Sequence, residues 1–97
     1  MTVVFSSAAD RDVKRALVFY LKEAGAEVAE DFIDRLEAKL DRIKTNPEMY
    51  RVVAKDLRSA ELDRYPYSIV YRIVSKTLIR LTTVRHHKQH PDFGLRR

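Results

Sequence analysis

The run Pro66-Tyr67-Ser68-Ile69-Val70-Tyr71-Arg72-Ile73 constrains the fold more than any other stretch of the chain. Tyr67, Ile69, Tyr71 and Ile73 fall on one side of an alternation; Ser68, Val70, Arg72 and Val74 fall on the other. A period of two, filled with β-branched and aromatic residues, suits a pleated strand. The first side is apolar throughout and needs a cover. The second mixes Val70 with Arg72, so that face is expected to be partly wet.

Upstream segments can supply the cover. Thr2 to Phe5 is β-prone and reads as a first strand. Ser7 followed by Asp10 approximates a capping box and opens a helix. Val13, Ala16, Leu17, Tyr20, Leu21 and Ala24 make its apolar stripe, and Gly25 supplies a left-handed end. A second helix follows at once. Ala29, Phe32, Ile33, Leu36, Leu40 and Ile43 form its apolar face, with Glu30, Asp34, Glu37, Lys39, Asp41 and Lys44 opposite. Asn46-Pro47 ends it. Helices joined by so short a link pack as an antiparallel hairpin. Asp10, Arg11, Asp31 and Arg35 read as solvated helix charges.

Glu48 to Asp56 carries Met49, Tyr50, Val52 and Val53 without a clear period. It could be a short strand, an irregular loop or a surface awaiting a partner. Leu57 to Arg64 reads as a strand, with Arg58, Ala60 and Leu62 against Ser59, Glu61 and Asp63. After the Tyr67–Ile73 strand, Ser75-Lys76 turns the chain into a last strand, Leu78 to Val84, with Ile79, Leu81 and Thr83 opposing Arg80, Thr82 and Val84. The expected fold class is therefore α+β: a strand, an antiparallel helical hairpin, then a three-stranded antiparallel meander beneath it.

Ninety-seven residues, 1–97, make one domain, with too little interior for an enclosed catalytic cavity. Function is expected on a surface, groove or interface. With no cysteine, disulfides and thiolate metal sites are excluded. His86, His87 and His90 alone do not suggest a zinc site, which needs converging ligands. No metal and no cofactor are expected. No run approaches the roughly 20 apolar residues of a membrane span, and Met1 to Phe5 lacks the pattern of a signal peptide. A soluble, cytoplasmic protein with no membrane partner is the expectation.

The net charge is +5, from nineteen basic and fourteen acidic residues. From Thr77 onward Arg80, Arg85, Lys88, Arg96 and Arg97 face only Asp92. Such an end either aids solubility or attracts an acidic partner, nucleic acid or protein. Arg72 either pairs with Glu61 or Asp63 on a neighbouring strand or touches a target. Tyr67 and Tyr71 read as core, with hydroxyls at the rim.

Three segments, in order and at this length, resemble the RelE/ParE superfamily of bacterial type II toxin–antitoxin toxins. They are Ala24-Gly25-Ala26-Glu27-Val28-Ala29 closing on Asn46-Pro47, Arg64 to Ile73, and Val84-Arg85-His86-His87-Lys88-Gln89-His90-Pro91-Asp92-Phe93. The superfamily holds two activities: RelE-like members cut messenger RNA on the ribosome, and ParE-like members poison DNA gyrase without cutting RNA. Residues that RelE-like enzymes use for cleavage are replaced here. Ser68 stands where a basic residue is usual, Ser59 and Glu61 where lysines are frequent, Phe93 for a tyrosine, and His87 near an expected arginine.

The resemblance thus implies a ParE-like toxin without catalytic residues, acting on a cellular target, DNA gyrase. Arg80, Arg85, His86, His87, Lys88, Arg96 and Arg97 are its expected target contacts. A cognate acidic antitoxin is the expected partner, in a hetero-oligomer, through the helical hairpin and sheet edge, on a surface including Met49, Tyr50, Val52 and Val53; those four could equally complete the core. The alternative is a ribosome-dependent endoribonuclease with Glu61 as base, His87 as acid, and Arg58, Arg72 or Arg85 on phosphate. A third reading is a non-toxic module that keeps only antitoxin binding.

Overall fold

The computed structural model describes residues 1–97. A first strand, β1 (Thr2–Phe5), leads into α1 (Ser7–Glu23) and α2 (Ala26–Thr45). Four strands follow: β2 (Arg51–Ala54), β3 (Leu57–Glu61), β4 (Tyr67–Ile73) and β5 (Leu78–His86). They form one sheet in the order β1-β5-β4-β3-β2. β1 runs parallel to β5, and the other neighbours are antiparallel. The α+β class is as expected, but the meander has four strands rather than three. Part of the unassigned segment, Arg51 to Ala54, pairs with β3 as an edge strand. It is only four residues long and its register shifts between Val52 and Ala54, so no period of two is visible in it.

The helical hairpin covers the Tyr67–Ile69–Tyr71 side. Phe32, Leu36 and Ile43 of α2 and Ala9 and Ala16 of α1 pack with Ile69, Tyr71, Ile79, Leu81 and Val84. Phe32, Ile43, Ile69, Tyr71, Ile79 and Leu81 are fully buried, each contributing about 1.5–3 kcal/mol. The Tyr71 hydroxyl donates to the Pro47 carbonyl at 2.6 Å, tying the end of the hairpin to the central strand. Tyr20, Phe32, Tyr65 and Tyr67 form an aromatic cluster with ring centroids 5.2–6.3 Å apart.

Several local expectations are corrected. Ser6, not Ser7, caps α1: its Oγ accepts from Ala9 N at 3.0 Å and also donates to Thr82 O at 3.3 Å. Gly25 has φ +93 as expected, but with ψ 174 it is extended rather than left-handed helical, and it starts α2. That backbone region is close to glycine-only. Leu21 and Ala24 lie outside the core; Leu21 is about half exposed. The buried residues of α2 are Ala29, Phe32, Leu36, Lys39 and Ile43, so Lys39 faces inward, not to solvent. Asp31 is no free surface charge; it accepts the Tyr65 hydroxyl at 2.6 Å.

β3 stops at Glu61, and β5 runs two residues further than expected, to His86. A bulge in the β4·β5 ladder at Val70/Tyr71 inserts Thr82 and inverts the expected alternation beyond it. Thr83 therefore pairs with Val70 on the second face, and Val84 joins the core.

Candidate functional site

The sheet face turned away from the helices is ordered by strand register into rows. One row is Glu61, Ser68 and Arg85. The next is Arg51, Ser59, Val70 and Thr83. The last is Leu57, Arg72, Arg80 and Val4. This face is less wet than its sequence suggests: Ser68, Val70 and Thr83 are buried.

The C-terminal residues provide much of that burial. His87 N donates to Pro66 O at 2.8 Å, and the chain then folds through tight turns to Arg97. Thr83 Oγ1 donates to Gly94 O at 3.3 Å. A Cβ on Gly94 would sit 2.3 Å from that hydroxyl oxygen, so the close approach needs glycine. Arg97 ends the segment with Nη1 donating to Asp12 Oδ2 at 2.6 Å, its guanidinium 4.8 Å from the Phe93 ring centre.

These contacts answer a backbone accounting problem. β1 covers β5 only as far as Leu81, leaving the next residues of β5 without a strand on that side. Asp12 Oδ2 accepts Val84 N at 3.0 Å, Arg97 donates to Thr82 O at 3.3 Å, and Gln89 Oε1 accepts His86 N at 2.9 Å. Side chains thus continue the edge where the strand stops.

At one end of the face three polar side chains converge. Glu61 Oε2 lies 2.6 Å from His87 Nε2 and 2.9 Å from Ser68 Oγ, and His87 Nε2 is 3.2 Å from the same hydroxyl. Glu61 and His87 are roughly half exposed at the side chain. Arg85 shares their row, but its Nη1 donates to Gln89 O at 3.0 Å and His86 O at 3.4 Å. Arg58 lies on the helix side of β3 and donates to Tyr50 O at 2.7 Å and Glu48 O at 3.1 Å. Arg72 is four residues along β4 from Ser68, ~13 Å away. It pairs at 2.8 Å with Asp56, not with Glu61 or Asp63 as the sequence suggested. That guanidinium holds the Asp56 carboxyl below its usual range. The five candidate catalytic residues therefore do not assemble. Only Glu61 and His87 meet, and they meet each other.

The expected target contacts divide in two. Arg80, Lys88 and Arg96 are exposed and make no ion pair within the chain. Arg85, His86, His87 and Arg97 have structural partners. His86 stacks edge-on against Tyr67, ring centres 4.9 Å apart, and its Nδ1 accepts Lys88 N. Burial, then the charges of Lys88, His87 and Arg85, lowers its pKa. His90 is exposed beside Asp92 at 3.8 Å.

Of the expected antitoxin contacts, Met49 and Val52 are each about half exposed, Val53 is half-buried, and Tyr50 packs against the core. Sequence reasoning placed the antitoxin on the helical hairpin but missed the residues of its apolar surface. Leu17, Leu21 and Ile33 line a groove of about 310 Å³ along the hairpin, with Glu30 and Asp34 on its rim. The stripe assigned to α1 includes more apolar residues than the sheet can cover, and that excess was the available signal. Asp12 was also missed, although it falls at core spacing between Ala9 and Ala16.

Similarity to known proteins agrees with this architecture. The chromosomal ParDE toxin–antitoxin system from P. aeruginosa contains a chain superposing with TM-score 0.75 at 18% identity, over 89% of this chain and 95% of that one. The intact E. coli RelBE toxin–antitoxin complex gives 0.62 at 16%, over 90% and 96%. The isolated E. coli RelE toxin gives 0.56 at 17%, over 97% and 92%. At such identities the likeness is one of fold. No curated protein matches in sequence. The sequence profile described as the ParE toxin of the type II toxin-antitoxin system, parDE, matches residues 3–91. The chain belongs to the ParE toxin family of type II toxin–antitoxin systems.

Proposed function

We propose that the whole chain, 1–97, acts in the cytoplasm as one toxin domain that arrests growth by binding DNA gyrase, without cleaving RNA. The observation that carries the choice between binding and cleavage is the Glu61–His87 pair. A general base and a general acid must each reach the substrate. Here the two groups are bonded to one another at 2.6 Å, and the guanidinium in their row, Arg85, is bonded to backbone carbonyls. The Nη1 donor of that guanidinium is spent on the fold rather than free to meet a developing phosphorane. Arg80, Lys88 and Arg96 supply the exposed charge for target contact.

A cognate antitoxin of acidic character neutralises the toxin. Two surfaces support this: the Leu17–Leu21–Ile33 groove suits an amphipathic helix, and the open edge of β2, beside Met49 and Val52, suits strand addition. Charge complementarity with a +5 chain speeds the encounter.

Purified protein added to gyrase and supercoiled DNA should accumulate cleaved DNA complexes. Unaffected gyrase together with cut ribosome-bound message would overturn the reading. That outcome would favour the endoribonuclease alternative, which the convergence of Glu61, Ser68 and His87 alone supports. In that case His87→Ala and Glu61→Gln should abolish toxicity while leaving the protein folded.

A further inference from the structure

The far end of the second face carries a charge arrangement around Arg80 and Arg96, two of the cations assigned above to target contact. Strand register sets Arg72 directly opposite Arg80, both on the face away from the helices. Like charges at directly opposed positions destabilise a sheet pair. Asp56 neutralises Arg72 at 2.8 Å, but Arg80 has no acidic partner. Beside this pair lies a cavity of about 530 Å³, between the β2–β3 turn and the C-terminal segment. Lys55, Arg72 and Arg96 line it together with Asp92. Lys55 and Arg96 are exposed and without ion pairs. A concave wall on which Lys55, Arg72, Arg96 and Arg97 outnumber Asp92 focuses a net positive field on an incoming anion.

We propose that Lys55, Arg72, Arg80 and Arg96 form a binding site for the phosphodiester backbone of a nucleic acid. Guanidinium forks match phosphate oxygens, and two of them stand side by side on adjacent strands. No aromatic side chain lies in this row or lines this cavity. Base stacking is therefore absent, and a protein partner would find no aromatic anchor. Contact is with the backbone alone, so binding is indifferent to base sequence and steep in salt. The site is separate from the Glu61–His87 end of the sheet, and it does not depend on gyrase being the target.

The test is fluorescence anisotropy of a labelled DNA duplex and a labelled single-stranded RNA of equal length, titrated with the full chain from 50 to 200 mM salt. Three cations free of acidic partners give a log–log salt slope of about −2.7 for the duplex and about −2.1 for the single strand. Arg80→Gln, and separately Lys55→Gln and Arg96→Gln, should each weaken binding at 0.1 M salt about 8-fold for the duplex and about 5-fold for the single strand, and reduce the slope by about 0.9 and about 0.7. Arg11→Gln makes the same charge change on exposed α1 and should weaken binding far less. Arg80→Gln relieves the opposition to Arg72, so its melting temperature should hold or rise while affinity falls. A purely structural Arg80 would move both down. Row-dependent binding of both polymers, or of either alone, supports the site, and their ratio identifies the source of the phosphate. Loss in Arg11→Gln equal to that in Arg80→Gln would overturn it, as would no binding at 50 mM salt. So would polyglutamate competing as well as an equal charge of duplex.

Discussion

The Arg97 guanidinium reaches across 85 positions of sequence to the Asp12 carboxylate and meets it at 2.6 Å. Asp12 is almost wholly buried, its side chain 1% exposed, whereas that of Arg97 is 27% exposed. Val84 N–H bonds the same carboxylate oxygen. Removing one partner leaves a buried charge that Arg15, at 3.4 Å and mostly exposed, compensates poorly. Arg97→Met should cost about 2–4 kcal/mol in urea unfolding. Asp12→Ala should cost a similar amount, and the double variant should cost less than the sum. Additive losses would show that the two residues do not act as a pair.

The C-terminal segment has a second anchor at Gly94. Its φ of +78 disfavours any side chain, and Thr83 occupies the space a Cβ would need. Gly94→Ala should cost about 1–3 kcal/mol and lift the segment off the sheet. Adding Thr83→Ala removes the closest contacts but leaves the backbone penalty, so it should restore only part of the loss. Amide exchange would read the effect directly, with faster exchange at Leu95 and Arg97, whose N–H groups bond within the segment. Unchanged exchange there would refute the anchoring role.

What the sequence makes legible follows from where the signal resides. β4 is readable because one unbroken side of it must be apolar to meet the hairpin. The turn at Gly25 is readable because it needs a glycine. The bulge at Thr82 is hidden, because two adjacent threonines give no apolar mark to show the change of parity. β2 is hidden by brevity and its own irregularity. In α2 the inward positions step by three and four from Ala29 through Phe32, Leu36 and Lys39 to Ile43. Leu40, one place on, looked the better core residue by type alone. The C-terminal segment reads as a solvated basic tail because its anchors are polar contacts with distant partners. The Glu61–His87 pair follows from the resemblance, but its closure on itself depends on the turn that returns His87 to Pro66.

Lys39 offers a test of that reading. Its side chain is 8% exposed, with Nζ 3.7 Å from the exposed Asp63 carboxylate and 5.9 Å from the Tyr50 ring centre. So loose a pair returns little for the desolvation it entails. The aliphatic stem does the packing. Lys39→Met keeps that stem and should be neutral or stabilising by up to about 1 kcal/mol. Lys39→Ala, which removes the stem, should cost about 1–2 kcal/mol. Equal losses in the two variants would show that the charge, not the stem, matters.

Tyrosine ionisation sets an alkaline limit on stability. The Tyr65 hydroxyl donates to Asp31 Oδ2 at 2.6 Å, and that bond, with burial and the carboxylate charge, pushes its pKa up to about 12. Burial pushes Tyr71 up to about 12 as well. Both values exceed the unfolded value of about 10, so the unfolded chain loses these protons first. The stabilisation is complete below about pH 10 and is lost as pH rises towards about 12. Denaturation midpoints measured between pH 9 and 11.5 should fall with rising pH. Tyr65→Phe should start lower at pH 9 yet fall less steeply, because one of the shifted groups is gone. A variant curve parallel to the wild-type curve would show that Tyr65 is not among the groups whose ionisation opens the fold.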